Sequence, residues 1–247
     1  MRRSKLSLLT ASLVAAAFAL SGCSLPFGND DGGGGASNGD GAGVEQPANM
    51  PVGGVTFTAD GVVTSDETPS LAPPPETDAV DVALIFDPMC PHCALFEETF
   101  GPALNELVDS GDITLTVYPL AFVVPNPSAT SVNAFMAVTS YHPEVAQEFQ
   151  TLLLAANSQT NGAGLNNDEL IELASSLGAD SPEVAEAIEN GVYQVTIDML
   201  NEQLLGKNFP ETNIEVLGTP MVIVEGREVP LDQMSPDAAA LLALLQG

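Results

Sequence analysis

The chain has 247 residues, with 33 acidic and only five basic side chains and a formal net charge of −28 at pH 7. Arg2, Arg3 and Lys5 lie at the N-terminus, so beyond residue 22 only Lys207 and Arg227 face all 33 acids. That balance excludes a nucleic-acid binder and attachment to an anionic membrane by charge; it reads as a solvated acidic surface that favours solubility.

In chain order, the first segment is an address. The three cations precede an apolar run from Leu6 to Leu20, too short for a comfortable membrane span and flanked as an export signal is. Its ending, Leu20-Ser21-Gly22-Cys23, resembles the lipobox of bacterial lipoproteins. The resemblance implies a signal over 1–22 and a lipid on Cys23, which would anchor the protein to the outer face of the cytoplasmic membrane. Lipidation would also settle the odd cysteine count: of three cysteines, only Cys90 and Cys93 remain to pair. Residues 23–53, with Asp30-Asp31 and the run Gly32 to Gly35, lack the means to bury a core and are expected to be a disordered acidic tether.

Val55 to Thr58 and Val62-Val63 flank Asp60-Gly61 and read as a short hairpin. Residues 68–77 are proline-rich and extended. Ala79 to Phe86 is a continuous apolar, β-branched run, the pattern of a buried central strand ended by Asp87-Pro88. From Cys90 to Ser110 apolar residues recur at helical spacing, with Pro91 at a tolerated first-turn position and Gly101-Pro102 expected to kink the helix. Ile113 to Leu120 is the next strand. The pattern then turns helical, with helices expected over 128–141, 144–156, 167–177 and 182–205. Strands return at Met221 to Val224 and Glu228-Val229, and a last helix starts at Ser235-Pro236 and runs through Ala238 to Leu245.

The chemistry concentrates in Cys90, Pro91, His92 and Cys93. Two thiols two positions apart can close into a disulfide. If the quartet opens a helix, the first thiol sits where backbone N–H groups and the helix dipole favour an anion, and the thiolate is the nucleophile of disulfide chemistry. His92 is a further candidate donor. Asp87 opposes the shift if its carboxylate lies close. Cys93, one turn further in, would resolve the mixed disulfide by attacking Cys90. A zinc site would need two more ligands than this pair supplies, so no metal and no cofactor is expected. The sequence holds no phosphate loop, dinucleotide fingerprint or serine-triad elbow.

The order strand, helix, strand, helical block, hairpin, helix resembles a thioredoxin fold with an inserted α-helical domain. With C-P-H-C, the approach Phe86-Asp87-Pro88-Met89, Phe96-Glu97-Glu98 after the motif and Gly218-Thr219-Pro220 before a late strand, residues 55–247 resemble the DsbA family of extracytoplasmic thiol–disulfide oxidoreductases. The implied organisation is a first thioredoxin-like part over 54–127, a helical insertion over 128–206 and a second part over 207–247. The resemblance implies that Cys90 and Cys93 are catalytic, that Pro91 and His92 tune them, and that Thr219 and Pro220, at a cis-proline loop, hold an extended client. It also implies exported clients with cysteine pairs, a membrane reoxidant linked to quinone (a DsbB or vitamin K epoxide reductase-like protein) and a monomer. A thiol pKa lowered from about 8.5 to about 3.5 would favour the reduced state at pH 7 by roughly 3.5 log units, on the order of 100 mV, making the disulfide a strong oxidant. The alternatives are a reductase or isomerase of the same fold and a non-catalytic lipoprotein that binds a peptide or copper.

Overall fold

The computed structural model describes residues 45–247. The signal, Cys23 and the tether up to residue 44 lie outside the described residues. Six strands form one mixed sheet: β1 (Val55–Thr58), β2 (Gly61–Val62), β3 (Val80–Phe86), β4 (Ile113–Pro119), β5 (Met221–Val224) and β6 (Arg227–Val229), in the spatial order β2-β1-β4-β3-β5-β6. β3 and β4 run parallel, with Leu84 opposite Val117 and Phe86 opposite Pro119. A parallel pair requires a crossover, and α1 (Pro91–Ser110) supplies it. On its other edge β3 pairs antiparallel with β5, Leu84 opposite Val222. The apolar run at 80–86 is thus central, and its last five residues are buried. This is a thioredoxin-like fold with added helices.

The helical block comprises α2 (Pro125–Tyr141), α3 (Ala146–Ser158), α4 (Asn167–Ser176), α5 (Pro182–Asn190) and α6 (Gln194–Leu204); α7 (Ala238–Leu245) closes the chain. The block shares its core with the sheet, and the described residues, 45–247, lie in one compact unit. Phe135 of α2 sets its ring edge-on to Phe86 of β3 at a centroid distance of 5.7 Å, a favoured aromatic geometry. No helix among the described residues is long and apolar enough to cross a membrane.

Several boundaries differ from expectation, each for a local reason. The helix expected over 182–205 is two. Gly191 takes a left-handed φ of +60° and caps α5, a conformation glycine adopts without steric cost. α2 starts at Pro125 rather than 128, because proline at N1 loses no hydrogen bond. α3 is preceded by a 3-10 turn at Pro143–Val145 and continues to Ser158. α7 begins at Ala238, where the Asp237 carboxylate accepts from the Ala240 N–H. α1 continues through Pro102 to Ser110 as one helix.

The tether expected to run to residue 53 ends earlier. Met50 is fully buried. The Asn49 amide donates to the Thr139 carbonyl at 2.8 Å and accepts from the Ser65 N–H at 3.0 Å. Ser140 Oγ accepts from the Ala48 N–H, and Thr196 Oγ1 meets Gln46 Oε1. The composition of this stretch hides one large apolar side chain among polar residues that each find a partner. Met50→Ala is expected to lower the unfolding free energy by about 2–5 kcal/mol, read as a lower urea midpoint with an unchanged slope.

Candidate functional site

The site forms where β3 ends. Phe86 passes into the turn Asp87-Pro88-Met89, closed by the Cys90 N–H donating to the Asp87 carbonyl at 3.0 Å. Cys90 is the N-cap of α1, with extended backbone (φ −78°, ψ 117°), and Pro91 opens the helix. Cys90 is only 6 % exposed and Cys93 1 %. Both are free thiols, so the reduced pair is the state described.

The Asp87 side chain holds this turn. It is wholly buried, and four donors satisfy its two oxygens. Oδ1 accepts from the Met89 N–H and the Ser128 hydroxyl, both at 2.8 Å; Oδ2 accepts from the Phe122 and Val123 N–H groups at 2.8 and 2.9 Å. One carboxylate therefore ties the approach to Cys90, the loop after β4 and the first turn of α2 into one body. The sequence suggests Asp87 as a charge that would oppose ionisation of Cys90. In the structure that carboxylate is engaged by its four donors, and the thiol is shifted chiefly by Cys93, burial and Thr219.

Across the turn lies Gly218-Thr219-Pro220, with a cis bond between Thr219 and Pro220. Cys90 Sγ donates to the Thr219 carbonyl oxygen at 3.3 Å, so residues 129 positions apart in the chain meet here. The Thr219 hydroxyl is buried without a hydrogen-bond partner. Turned toward an ionised Cys90, it would gain the partner that it lacks.

The two thiols are driven apart electrostatically. The Cys90 pKa is lowered to about 5, chiefly because the Cys93 thiol can donate to the ionised sulfur. Burial opposes this, and the Thr219 side chain, once turned toward the anion, and the N–H groups of Cys93 and His92 reinforce it. The Cys93 thiol is pushed far up, first by burial and then by holding its proton toward Cys90. Ionisation is thus assigned to one sulfur and proton retention to the other. His92 contributes through its backbone N–H; its ring is exposed and makes no hydrogen bond to the described residues.

Besides Asp87, the sequence reading missed Asn157, whose amide donates to Ser131 Oγ and the Pro88 carbonyl and accepts from the Leu165 N–H. It also missed Asn201, which brackets Ala121 by hydrogen bonds to its N–H and carbonyl. An isolated asparagine on a helix carries no signal in sequence. Glu97 is a further surprise. It is buried between α1 and α3, where Thr151 Oγ1 donates to its Oε1 at 2.6 Å, and its carboxyl lies where a Gly101 side chain would be: a Cβ there would sit 2.7 Å from Oε1. Burial raises the Glu97 pKa, and the Thr151 hydrogen bond offsets only part of the rise. Among the described residues no three His, Cys, Asp or Glu side chains converge as a metal site would require.

A family model described as Thioredoxin matches residues 76–245. The chain belongs to this thioredoxin family. Among solved structures, reduced DsbA from Mycobacterium tuberculosis is 25% identical, with 78% of this chain and 90% of that one covered and a TM-score of 0.59. Reduced DsbG from the same organism, a disulfide bond oxidoreductase, is 25% identical over 80% and 88%, with a TM-score of 0.61. MdbA from Actinomyces oris, a thiol-disulfide oxidoreductase, is 22% identical over 69% and 80%, with a TM-score of 0.57, a likeness of fold. A comparison with curated proteins finds no significant match. The chain is a DsbA-like thioredoxin-fold protein, and its site is built for thiol–disulfide exchange.

Two outcomes test the electrostatics. Thiolate absorbance of the reduced protein should titrate with a midpoint near pH 5, vanish in Cys90→Ser, and move to higher pH in Cys93→Ala, which removes the principal donor. For Glu97, a raised folded pKa means that its contribution to stability is present below about pH 4.5 and is lost as pH rises through the folded value. Glu97→Gln, which keeps the Thr151 partner, should therefore raise Tm at pH 8, with the gain vanishing near pH 4.

Proposed function

We propose that this protein is an extracytoplasmic oxidase that introduces disulfides into exported proteins with cysteine pairs. The reading is carried by the place of Cys90 at the N-cap of α1, where its pKa falls to about 5 beside a buried Cys93 thiol that keeps its proton. Relative to an ordinary thiol near 8.5, this favours the reduced pair at pH 7 by about two log units, on the order of 60 mV. The raised pKa of Cys93 adds nothing at that pH, because an ordinary thiol is already protonated there. The dithiol is thereby the stable product and the disulfide the reactive species, the polarity an oxidase needs.

The exchange proceeds in two displacements. A client thiolate attacks Cys90 Sγ of the Cys90–Cys93 disulfide; the S–S bond breaks and Cys93 leaves, taking up a proton that its buried position retains. A second client thiolate then attacks the client's own sulfur in the mixed disulfide, and Cys90 departs as a stable anion. The client has lost two electrons and the protein has gained them. Thr219 and Pro220 would align the client as an extended segment by its backbone, beside the sulfur that it attacks. Pro91 and His92 would tune the pair, His92 through its N–H. Electrons would pass to an integral-membrane reoxidant linked to quinone, of the DsbB or vitamin K epoxide reductase-like kind, and no bound cofactor takes part. The L-S-G-C ending supports a lipid on Cys23 that holds a monomer at the outer face of the cytoplasmic membrane.

The oxidised protein should convert a reduced, unfolded dithiol client to its disulfide form. Cys90→Ser should abolish this turnover, and Cys93→Ser, given the client in its disulfide form, should trap the mixed disulfide through Cys90. Absence of exchange in the native protein, with client affinity retained there and in Cys90→Ser, would assign a binding protein instead. A potential near thioredoxin's, about −270 mV, would assign the reductase direction.

A further inference from the structure

Beside Cys90 lies an apolar pocket of about 300 Å³ that the Thr219–Pro220 loop does not line. Met89, Ala94, Val123 and Val124 line it, with Asn161 and Gly162 of the loop after α3 as its outer wall, and no charged side chain enters it. The wall is held in place. Asn157 ties Leu165 of this loop to α2 and to the Pro88 carbonyl. Gly164 packs so closely that a Cβ there would stand 2.6 Å from the Pro127 Cβ.

Pro91, Ala94 and Ser158 also border a second cavity, a groove of about 610 Å³ along the seam between α1 and α3. The two spaces are therefore neighbours. Part-way along the groove stands the exposed Glu98, and no cation lines it. From Pro91 to Glu98 is seven helical residues, about 10 Å, the span of about three extended residues.

We infer that this seam is a client subsite: it takes an apolar side chain adjacent to the client cysteine in the pocket beside Cys90, and a lysine or arginine about three residues further on at Glu98. The inference rests on the oxidase reading. Two observations commit the occupant. Cys90 itself lines the pocket, so a client cysteine bonded to it brings its neighbours close to the pocket. The apolar wall and the exposed Glu98 carboxylate then select which neighbours gain by entering, since burial of apolar surface and pairing with an exposed carboxylate are both favourable.

The test uses seven-residue dithiol peptides with cysteines at both ends, Cys-Leu-Ser-Ser-Lys-Gly-Cys and its reverse, each also with Leu replaced by Asp or Lys by Glu. Second-order rates of reduction of the oxidised protein are measured, each divided by the same protein's rate with dithiothreitol to remove changes in intrinsic reactivity. In at least one chain direction, the Leu-to-Asp change is expected to slow exchange about tenfold, the scale of one apolar side chain in a pocket. The Lys-to-Glu change should slow it several-fold. Val123→Asp should erase the preference for leucine, and E98Q should shrink that for lysine. Equal rates for all peptides, or a lysine preference that E98Q leaves intact, would overturn the subsite, the latter by assigning the preference to the charge of the whole surface. Reaction with dithiothreitol but with none of the peptides would instead reject client oxidation itself, and the subsite with it.

Discussion

The pairing of one sulfur that ionises readily with a second that keeps its proton sets the character of this molecule. Cys90 sits at the N-cap of α1 with its sulfur near the Thr219 carbonyl, and a carbonyl oxygen does not favour a neighbouring anion. What makes the anion stable is the inward neighbour, Cys93, whose burial makes its own ionisation costly and its proton available for donation. The same burial thus suppresses one thiolate and supports the other. The backbone N–H groups of the first helical turn add to it, as expected where four donors lack intrahelical partners.

That arrangement persists only if the turn before α1 cannot relax. The Asp87 carboxylate prevents this. A buried carboxylate with four donors is costly to disturb, because each donor would lose its partner in a site that excludes water. Its ligands come from three segments: Met89 in the turn, Phe122 and Val123 after β4, and Ser128 in α2. Asn157 adds α3 to the same junction through the Pro88 carbonyl. The helical block is therefore part of the frame that holds the nucleophile, and its loop after α3 forms the outer wall of the pocket beside Cys90.

How much of this was legible in the sequence follows from which interactions are local. The strand at 80–86, the helix after it and the final hairpin are written in apolar periodicity, and all are present. The C-P-H-C quartet and the Thr219–Pro220 loop were readable as two halves of a site, and they meet through Cys90 and Thr219. The roles of Asp87, Asn157 and Asn201 were not, because each joins segments far apart in the chain and its residue type fits a turn or a solvated helix equally well. Asp87 was readable only as a charge three residues from a thiol, because three of its four donors, from Phe122, Val123 and Ser128, lie far along the chain. Asn190-Gly191, by contrast, was a readable helix stop, overridden by the apolar spacing that continues on both sides of it.

The most direct test of the central claim is the pH dependence of the reduction potential of the Cys90–Cys93 pair. If the reduced pair holds one proton on Cys93 and leaves Cys90 ionised, the potential between pH 6 and 8 falls by about 30 mV per pH unit, steepening to about 60 mV per unit below pH 5, where both sulfurs bind protons. A slope of about 60 mV per unit sustained through pH 8 would mean two protonated thiols and would contradict the account.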